Sequence, residues 1–218
     1  MLAAVESGDA KKVAELMRQD PGFDVNMVLD AFGWTLLHYA CLGNDRRSPA
    51  IPSLLAHPDI DVNVTDKNGC TAFYFACRGN PSCVRELLKD SRVEVNEPTN
   101  YGRTPLWLAA FSAKLDVIKW WVASGREMDL GKPGDVGRTD AIGEGKKIRY
   151  AELVTLLERF KSDPTQTRQA TRVELGWYDE LAAERFALVV FVSDGLLQIK
   201  ETTASPAARY FSIARRLW

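Results

Sequence analysis

The sequence predicts an all-α solenoid of helix-turn-helix units with β-turn or hairpin tips, followed by a C-terminal helical cap. Two markers and one pattern predict it. The segments beginning at Gly33, Gly69, Gly102 and Gly137 share one skeleton, and their threonines fall at Thr35, Thr71, Thr104 and Thr139, giving spacings of 71 − 35 = 36, 104 − 71 = 33 and 139 − 104 = 35. A second marker keeps step: Asp24-Val25-Asn26, Asp61-Val62-Asn63, Glu94-Val95-Asn96 and Asp129-Leu130-Gly131. Apolar residues then recur at helical spacing between the markers. A fixed period of this size is the mark of a repeat architecture.

Each element has a mechanical reason. The leading glycine permits a tight turn that a side chain would obstruct. The threonine closing the turn caps the coming helix, and Pro105 suits a first helical turn. Ala40, Ala76, Ala109 and Ala110 are small enough for neighbouring helices to approach closely. A second helix then carries Val13, Leu16 and Met17; Ile51, Leu54 and Leu55; Val84, Leu87 and Leu88; and Val117, Ile118, Trp120 and Trp121. At least one of the two tryptophans is expected in the core. No single helix pair buries its own apolar face, so stacking has to supply the interior.

At these residues the chain resembles the ankyrin repeat family, whose pattern runs near T-P-L-H-x-A beside a turn glycine. The resemblance covers residues 1–162 in units of about 1–29, 30–65, 66–98, 99–133 and 134–162. The first unit keeps its helices and Asp24-Val25-Asn26 but lacks the leading turn, as a capping repeat would. Thr-Pro occurs only in the fourth unit, and the histidine only in the second, as His38. Pro49 and Pro52 point to an enlarged entry into the second unit's second helix. The fifth unit is degenerate, with Asp140-Ala141-Ile142-Gly143-Glu144-Gly145 in place of an apolar first helix.

The character changes after Phe160. Lys161 to Thr167 reads as a break or linker, with Pro164 stopping the preceding helix. Residues 163–218 form an extension without the period. Val173 to Val192 has a helical pattern, Ser193-Asp194-Gly195 is a turn signal, and Ser205-Pro206 opens a last helix striped by Tyr210, Phe211, Ala214 and Leu217. These helices are expected to cover the end of the stack, since a solenoid end needs a cover. The apolar ending Leu217-Trp218 is what a truncated piece of a longer protein would show.

Composition narrows the functional classes. A formal net charge of −1 and a pI near 6.2 give no long-range field for nucleic acid or an anionic membrane. Cys41, Cys70, Cys77 and Cys83, without a secretory leader, point to a reducing compartment, so an intracellular protein of cytoplasm and/or nucleus is expected. The apolar run Phe186 to Val192 is far short of the roughly 20 residues of a membrane span. No C-x-x-C pair occurs, so no zinc site is expected, and the cysteines read as small core filler. His57 reads as a surface residue at a helix end, and no spacing offers an oriented base for a serine or cysteine nucleophile. The glycine-rich run Gly131 to Gly137 and Gly143-Glu144-Gly145-Lys146-Lys147 fails the phosphate-loop pattern, because Asp140 stands where its first glycine belongs. Scattered carboxylates such as Asp20, Asp24, Asp179 and Glu180 read as solvated surface. No enzyme activity, cofactor or metal is expected.

The resemblance implies a recognition surface on the concave face, formed by the turn tips and the first helix of each unit. Carried over position by position, it comprises Ala31, Phe32 and Trp34; Lys67, Asn68 and Cys70; Asn100, Tyr101 and Arg103; and Asp135, Val136 and Arg138. Leu42, Arg78, Phe111 and Ser112 are added from the helices. The strongest candidates are Phe32, Trp34, Lys67, Asn68, Arg78, Asn100, Tyr101, Arg103, Phe111 and Arg138. Aromatic and arginine side chains of this kind dominate binding hot spots. The competing reading has Phe32 and Trp34 packing against neighbouring tips or the extended second unit. The expectation is a scaffold or adaptor holding a protein or peptide; the alternative is a regulatory or targeting region of a larger multidomain protein. The resemblance also gives His38 a structural role, hydrogen-bonded within its turn.

Overall fold

The computed structural model describes residues 1–20, 22–42, 45–131 and 140–177. Helices α1 (Leu2–Ser7) and α2 (Ala10–Gln19) form the first unit. The second has α3 (Leu36–Cys41), a 3-10 helix over Asp45–Ala50 and a short α4 (Ile51–Leu55). Pairs α5 (Ala72–Ala76) with α6 (Pro81–Lys89), α7 (Pro105–Phe111) with α8 (Leu115–Ser124), and α9 (Ala141–Lys147) with α10 (Ala151–Ser162) follow. The enlarged entry expected from Pro49 and Pro52 is the 3-10 helix. Among the described residues there is no strand, although an isolated antiparallel bridge joins Thr65 and Thr71.

First helices stack on first helices, α1 on α3, α3 on α5, α5 on α7 and α7 on α9, while α2, α4, α6 and α8 stack behind them. The core between the layers is continuous. It runs from Val5 and Val13 through Leu36, Leu54, Phe73, Leu87, Leu106 and Trp121 to Leu153 and Leu157. Trp121 is fully buried, edge-on to Phe73 at 5.0 Å, whereas Trp120 is half-buried beneath the Arg85 guanidinium. All four cysteines are buried and free. Cys70 is therefore part of the interior and not of the recognition surface expected for its position.

Both sequence markers correspond to hydrogen bonds. The Thr71 and Thr104 hydroxyls accept from the Tyr74 and Trp107 amides, satisfying orphan donors at the starts of α5 and α7. The asparagine of the second marker staples each unit to the next. Asn26 Nδ2 donates to the Asp59 carbonyl at 2.7 Å, and its Oδ1 accepts from the Asp61 amide at 2.9 Å. Asn63 repeats this on the Arg92 carbonyl and Glu94 amide, both at 2.8 Å. Asn96 repeats it on the Glu127 carbonyl at 3.4 Å and the Asp129 amide at 2.9 Å. The preceding valines, Val25, Val62 and Val95, are buried and fix the height of each staple. In the fourth unit Gly131 stands in the asparagine's place and has no side chain to continue the series.

Two expectations need correcting. The fifth unit keeps its first helix: Ala141, Ile142, Glu144 and Gly145 are buried, and the Asp140 carboxylate caps α9 by accepting from the Gly143 amide at 2.6 Å. The capping residue is thus Asp140, one position past the threonine that the period picks out. Second, Lys161 to Thr167 is not a linker. Pro164 does end α10, but it also opens α11 (Pro164–Glu174), because a proline needs no partner for an amide at a helix start. The Asp163 side chain accepts from the Gln166 amide, so one residue closes α10 and caps α11. Thr167 and Thr171 on α11 are buried, and Met1–Thr171 is one compact unit. The helical pattern read over Val173 to Val192 gives way at Glu174, with Gly176 at φ +64°. The rest of that stretch, the turn at Ser193 and the helix from Ser205 lie outside the described residues.

Candidate functional site: the turn tips and first helices

Each tip is organised by one oxygen that the sequence does not advertise. Asp30 Oδ1 accepts from the amides of Phe32 and Trp34. Asp66 Oδ1 does the same for Asn68 and Cys70, and Thr99 Oγ1 for Tyr101 and Arg103. Side chains of this type mimic a backbone turn, which holds these three tips in one shape. Burial pushes the Asp30 carboxyl up, but hydrogen bonds from Trp34, the Tyr39 hydroxyl, Phe32 and Gly33 outweigh it and hold the group below its ordinary range. That same bond to Asp30 is the main reason the Tyr39 hydroxyl is pushed up. Asp66 uses its second oxygen to accept from the Trp34 indole at 3.2 Å.

Adjacent tips are also joined through the backbone. The Lys67 amide donates to the Phe32 carbonyl at 3.0 Å, and the Asn100 amide to the Asn68 carbonyl at 2.9 Å. Gly69 shows why the turn glycine is needed: at φ +75° a Cβ there would lie 2.8 Å from the Asn100 backbone nitrogen. His38 closes the other side of its tip. Its Nδ1 accepts from the Thr35 amide at 3.2 Å, which leaves Nε2–H to donate to the Cys70 carbonyl at 3.1 Å. Burial pushes the imidazole down and outweighs the Cys70 bond and the charges of Asp66 and Asp30. The ring is a neutral brace between two units, in line with its expected structural role.

On this scaffold Phe32, Tyr101 and Phe111 stand 61%, 59% and 55% exposed. Lys67, Asn68, Arg78, Asn100 and Arg103 are exposed as well, and Trp34 is half-buried. Arg138, Asp135 and Val136 lie outside the described residues. The reading in which the second tip's aromatics pack on their neighbours holds for Trp34, which touches Phe32, Tyr39 and Phe75 with centroids 5.3–5.7 Å apart. Phe32 meets Trp34 as well, yet keeps most of its surface in solvent.

Four residues, Phe75, Tyr74, Tyr39 and Trp107, join the site that sequence reasoning did not place there. Phe75 lies beside Trp34, His38 and Tyr74. Tyr39 lies edge-on to Trp34. Trp107 stacks flat on Phe111 at 5.0 Å and 12°, with the Arg103 guanidinium 4.8 Å from the centroid of the Trp107 ring. Arg103 is also near enough to Tyr74 for its charge to counter the burial that pushes that hydroxyl to about 12. The result is one ladder across three units: Phe32, Trp34, Phe75 and Tyr74, then Arg103, Trp107 and Phe111. The signal was present in the motif, because Tyr74 and Trp107 hold the histidine's position and Tyr39 and Phe75 the position after it.

Little here suits chemistry. Among the described residues no three histidine, cysteine or acidic side chains gather closely enough to hold a metal ion. Burial raises the thiols of Cys77 and Cys83 well above their ordinary range and Cys70 to about 12, so none is a ready nucleophile. Among the described residues no helix is long and apolar enough to cross a membrane.

A stack of capped helix pairs with projecting tips defines the class as a helical-repeat protein. The repeats within residues 46–131 are ankyrin repeats, since that segment matches the family model described as ankyrin repeats (3 copies). Repeats of this family mediate protein–protein interaction and are typically non-enzymatic. The chain is 38% identical over 89 residues to the SMC5-SMC6 complex localization factor protein 1 of Bos taurus and of Homo sapiens, covering 40% of this chain and 8% of each relative. It is 31% identical over 90 residues to a putative ankyrin repeat protein of Rickettsia bellii (strain RML369-C), covering 41% of this chain and 49% of that protein. The chain thus spans less than a tenth of the mammalian relatives and about half of the bacterial one.

Proposed function

We propose that the groove between the tips and the first helices holds a protein or peptide partner, and that the chain acts as a non-catalytic scaffold or adaptor inside the cell. One observation carries this: Phe32 and Phe111 at the two ends of the ladder, and Tyr101 at the fourth unit's tip, stand in solvent on a hydrogen-bonded frame. Such groups offer large contact area at small entropic cost, which is why they anchor interfaces. Lys67, Asn68, Arg78, Asn100 and Arg103 would form the polar rim, and Arg138 extends the assignment into the fifth unit. The four buried, unpaired cysteines favour a reducing compartment, cytoplasmic or nuclear.

The test is affinity capture from native extract with the wild-type chain and a Phe32→Ala, Tyr101→Ala, Phe111→Ala variant of equal helicity. Trp34 is left in place, because its bond to Asp66 makes it part of the frame. Partners lost only with the variant support the groove; partners kept by both refute it. A second reading, a targeting region within a larger protein, is favoured by the mammalian relatives, in which the matched segment is a small part of a much longer chain. On that reading the groove works in the same way and the effector lies elsewhere.

A further inference from the structure

Among the described residues, the exposed charges beside the aromatic ladder are mainly basic. Lys67 stands at the third tip, Arg103 leans over Trp107, and Arg78 projects where α5 ends. The Lys114 side chain crosses the backbone of the next residue, since a Cβ on Gly79 would lie 2.8 Å from its Cε. The carboxylates on the same side are already engaged. Asp30 is held by two tip amides and the Tyr39 hydroxyl, and Asp66 by two amides and the Trp34 indole. Glu144 on α9 takes the Lys147 ammonium at 2.9 Å, and Glu6 faces Arg47 at 3.9 Å. Asp30 and Asp66 keep their charge, but they are turned into the tips. In a chain with a net charge of −1, the exposed Lys67, Arg78, Arg103 and the Lys114 side chain therefore leave a basic excess beside the aromatic rings.

We propose that the groove's occupant is an acidic peptide segment bearing an aromatic or aliphatic anchor; this rests on the groove reading above. The anchor packs against Trp107 and Phe111, and flanking carboxylates meet Arg103 and Arg78, with Lys67 and Lys114 at the two borders. Guanidinium groups suit this task because their planar forks grip carboxylates with two parallel hydrogen bonds. The electrostatic share of such a contact favours fast capture and is weakened by salt. A single-stranded nucleic acid also stacks on aromatic rings between basic groups. The overall charge argues against it, because nucleic-acid affinity draws mainly on an extended positive field.

The experiment selects binders from a random peptide library displayed on phage, using the whole chain as bait. Fluorescent oligothymidylate serves as a parallel probe. Selected peptides should be rich in aspartate and glutamate around a phenylalanine, tryptophan or leucine. Their affinity should fall at least about tenfold in an Arg78→Glu, Arg103→Glu variant of unchanged helicity, the size expected when a hot-spot contact is lost. It should also fall as sodium chloride rises. Neutral or basic selected peptides, no selected peptide, or oligothymidylate binding that needs the same arginines would each overturn the proposal. Neutral peptides that still lose affinity in the Phe32→Ala, Tyr101→Ala, Phe111→Ala variant would refute the acidic partner and spare the groove. Acidic or neutral peptides indifferent to that variant would refute the groove itself.

Discussion

Replacing Asn63 by alanine should loosen the joint between the second and third units without touching the core. The side chain makes two bonds across that joint, one to the Arg92 carbonyl and one from the Glu94 amide, each 2.8 Å long. Its own amide is turned toward Asp61 and survives the change. A net hydrogen bond is worth roughly 0.5–1.5 kcal/mol, so two lost bonds give about 1–3 kcal/mol. Both backbone groups are within reach of water, which takes over part of the role and places the cost near the lower end, about 1–2 kcal/mol. Asn63→Asp keeps the acceptor and loses the donor, so it should fall between wild type and alanine. Because stacked repeats are coupled mainly through nearest-neighbour interfaces, the unfolding transition should also broaden. Urea unfolding followed by circular dichroism measures the cost, and hydrogen exchange at the Glu94 amide reports the broken bond directly. A midpoint shift worth less than about 0.3 kcal/mol, with that amide still protected, would refute the staple as a source of stability.

Three further outcomes are expected. Gly69→Ala forces a methyl group to within 2.8 Å of the Asn100 nitrogen at a positive φ, and should cost at least about 1–2 kcal/mol in thermal or urea unfolding. Stability should decline as pH falls from 7.5 to 5. His38 is held below its unfolded value of 6.5, so the unfolded chain binds the proton first, and the loss begins near 6.5 and levels off below the folded value. His38→Gln should flatten melting temperature against pH over that window; an unchanged slope would remove His38 as its source. Iodoacetamide at mild alkaline pH should leave Cys77 and Cys83 unlabelled in the native chain and modify all four cysteines in guanidinium, since burial raises both thiols. Mass spectrometry of digested protein reads the result, and rapid native labelling would contradict the core placement.

The repeat was legible because each marker is a bonding unit: threonine caps a helix, glycine admits the neighbouring tip, and asparagine joins two backbones. Such roles tolerate few residue types, so they persist as letters. Where two types serve equally, the period is hidden. Asp30, Asp66 and Thr99 each hold a tip from the same position, but a threonine among aspartates conceals the series. Asp140 caps α9 as well as a threonine would, which displaced the fifth unit's start by one residue. Pro164 reads equally as an end and a beginning, and only the Asp163 bond to Gln166 decides between them. On the site, Phe32, Tyr101 and Phe111 are exposed at positions where the core has no claim on them. Trp34, in a tip, and Phe75, on a first helix, escaped a clean reading because an aromatic ring at either place can turn toward the core or the groove, and the choice depends on the neighbouring unit.

The asparagine series also carries a mechanical consequence. Its reach across successive joints is 2.7, 2.8 and 3.4 Å, and at the next joint Gly131 offers nothing. A chain held at its two ends and stretched would not yield uniformly. Rupture should start between the fourth and fifth units, where no asparagine staple adds to helix packing, the Ala141–Leu130 backbone bond and the Lys119–Glu152 pair, and travel toward the N-terminus through the stapled seams. Phe32, Trp34 and Phe75 would be among the last elements disturbed, so a tethered molecule could lose its C-terminal units and keep the aromatic end of its grip.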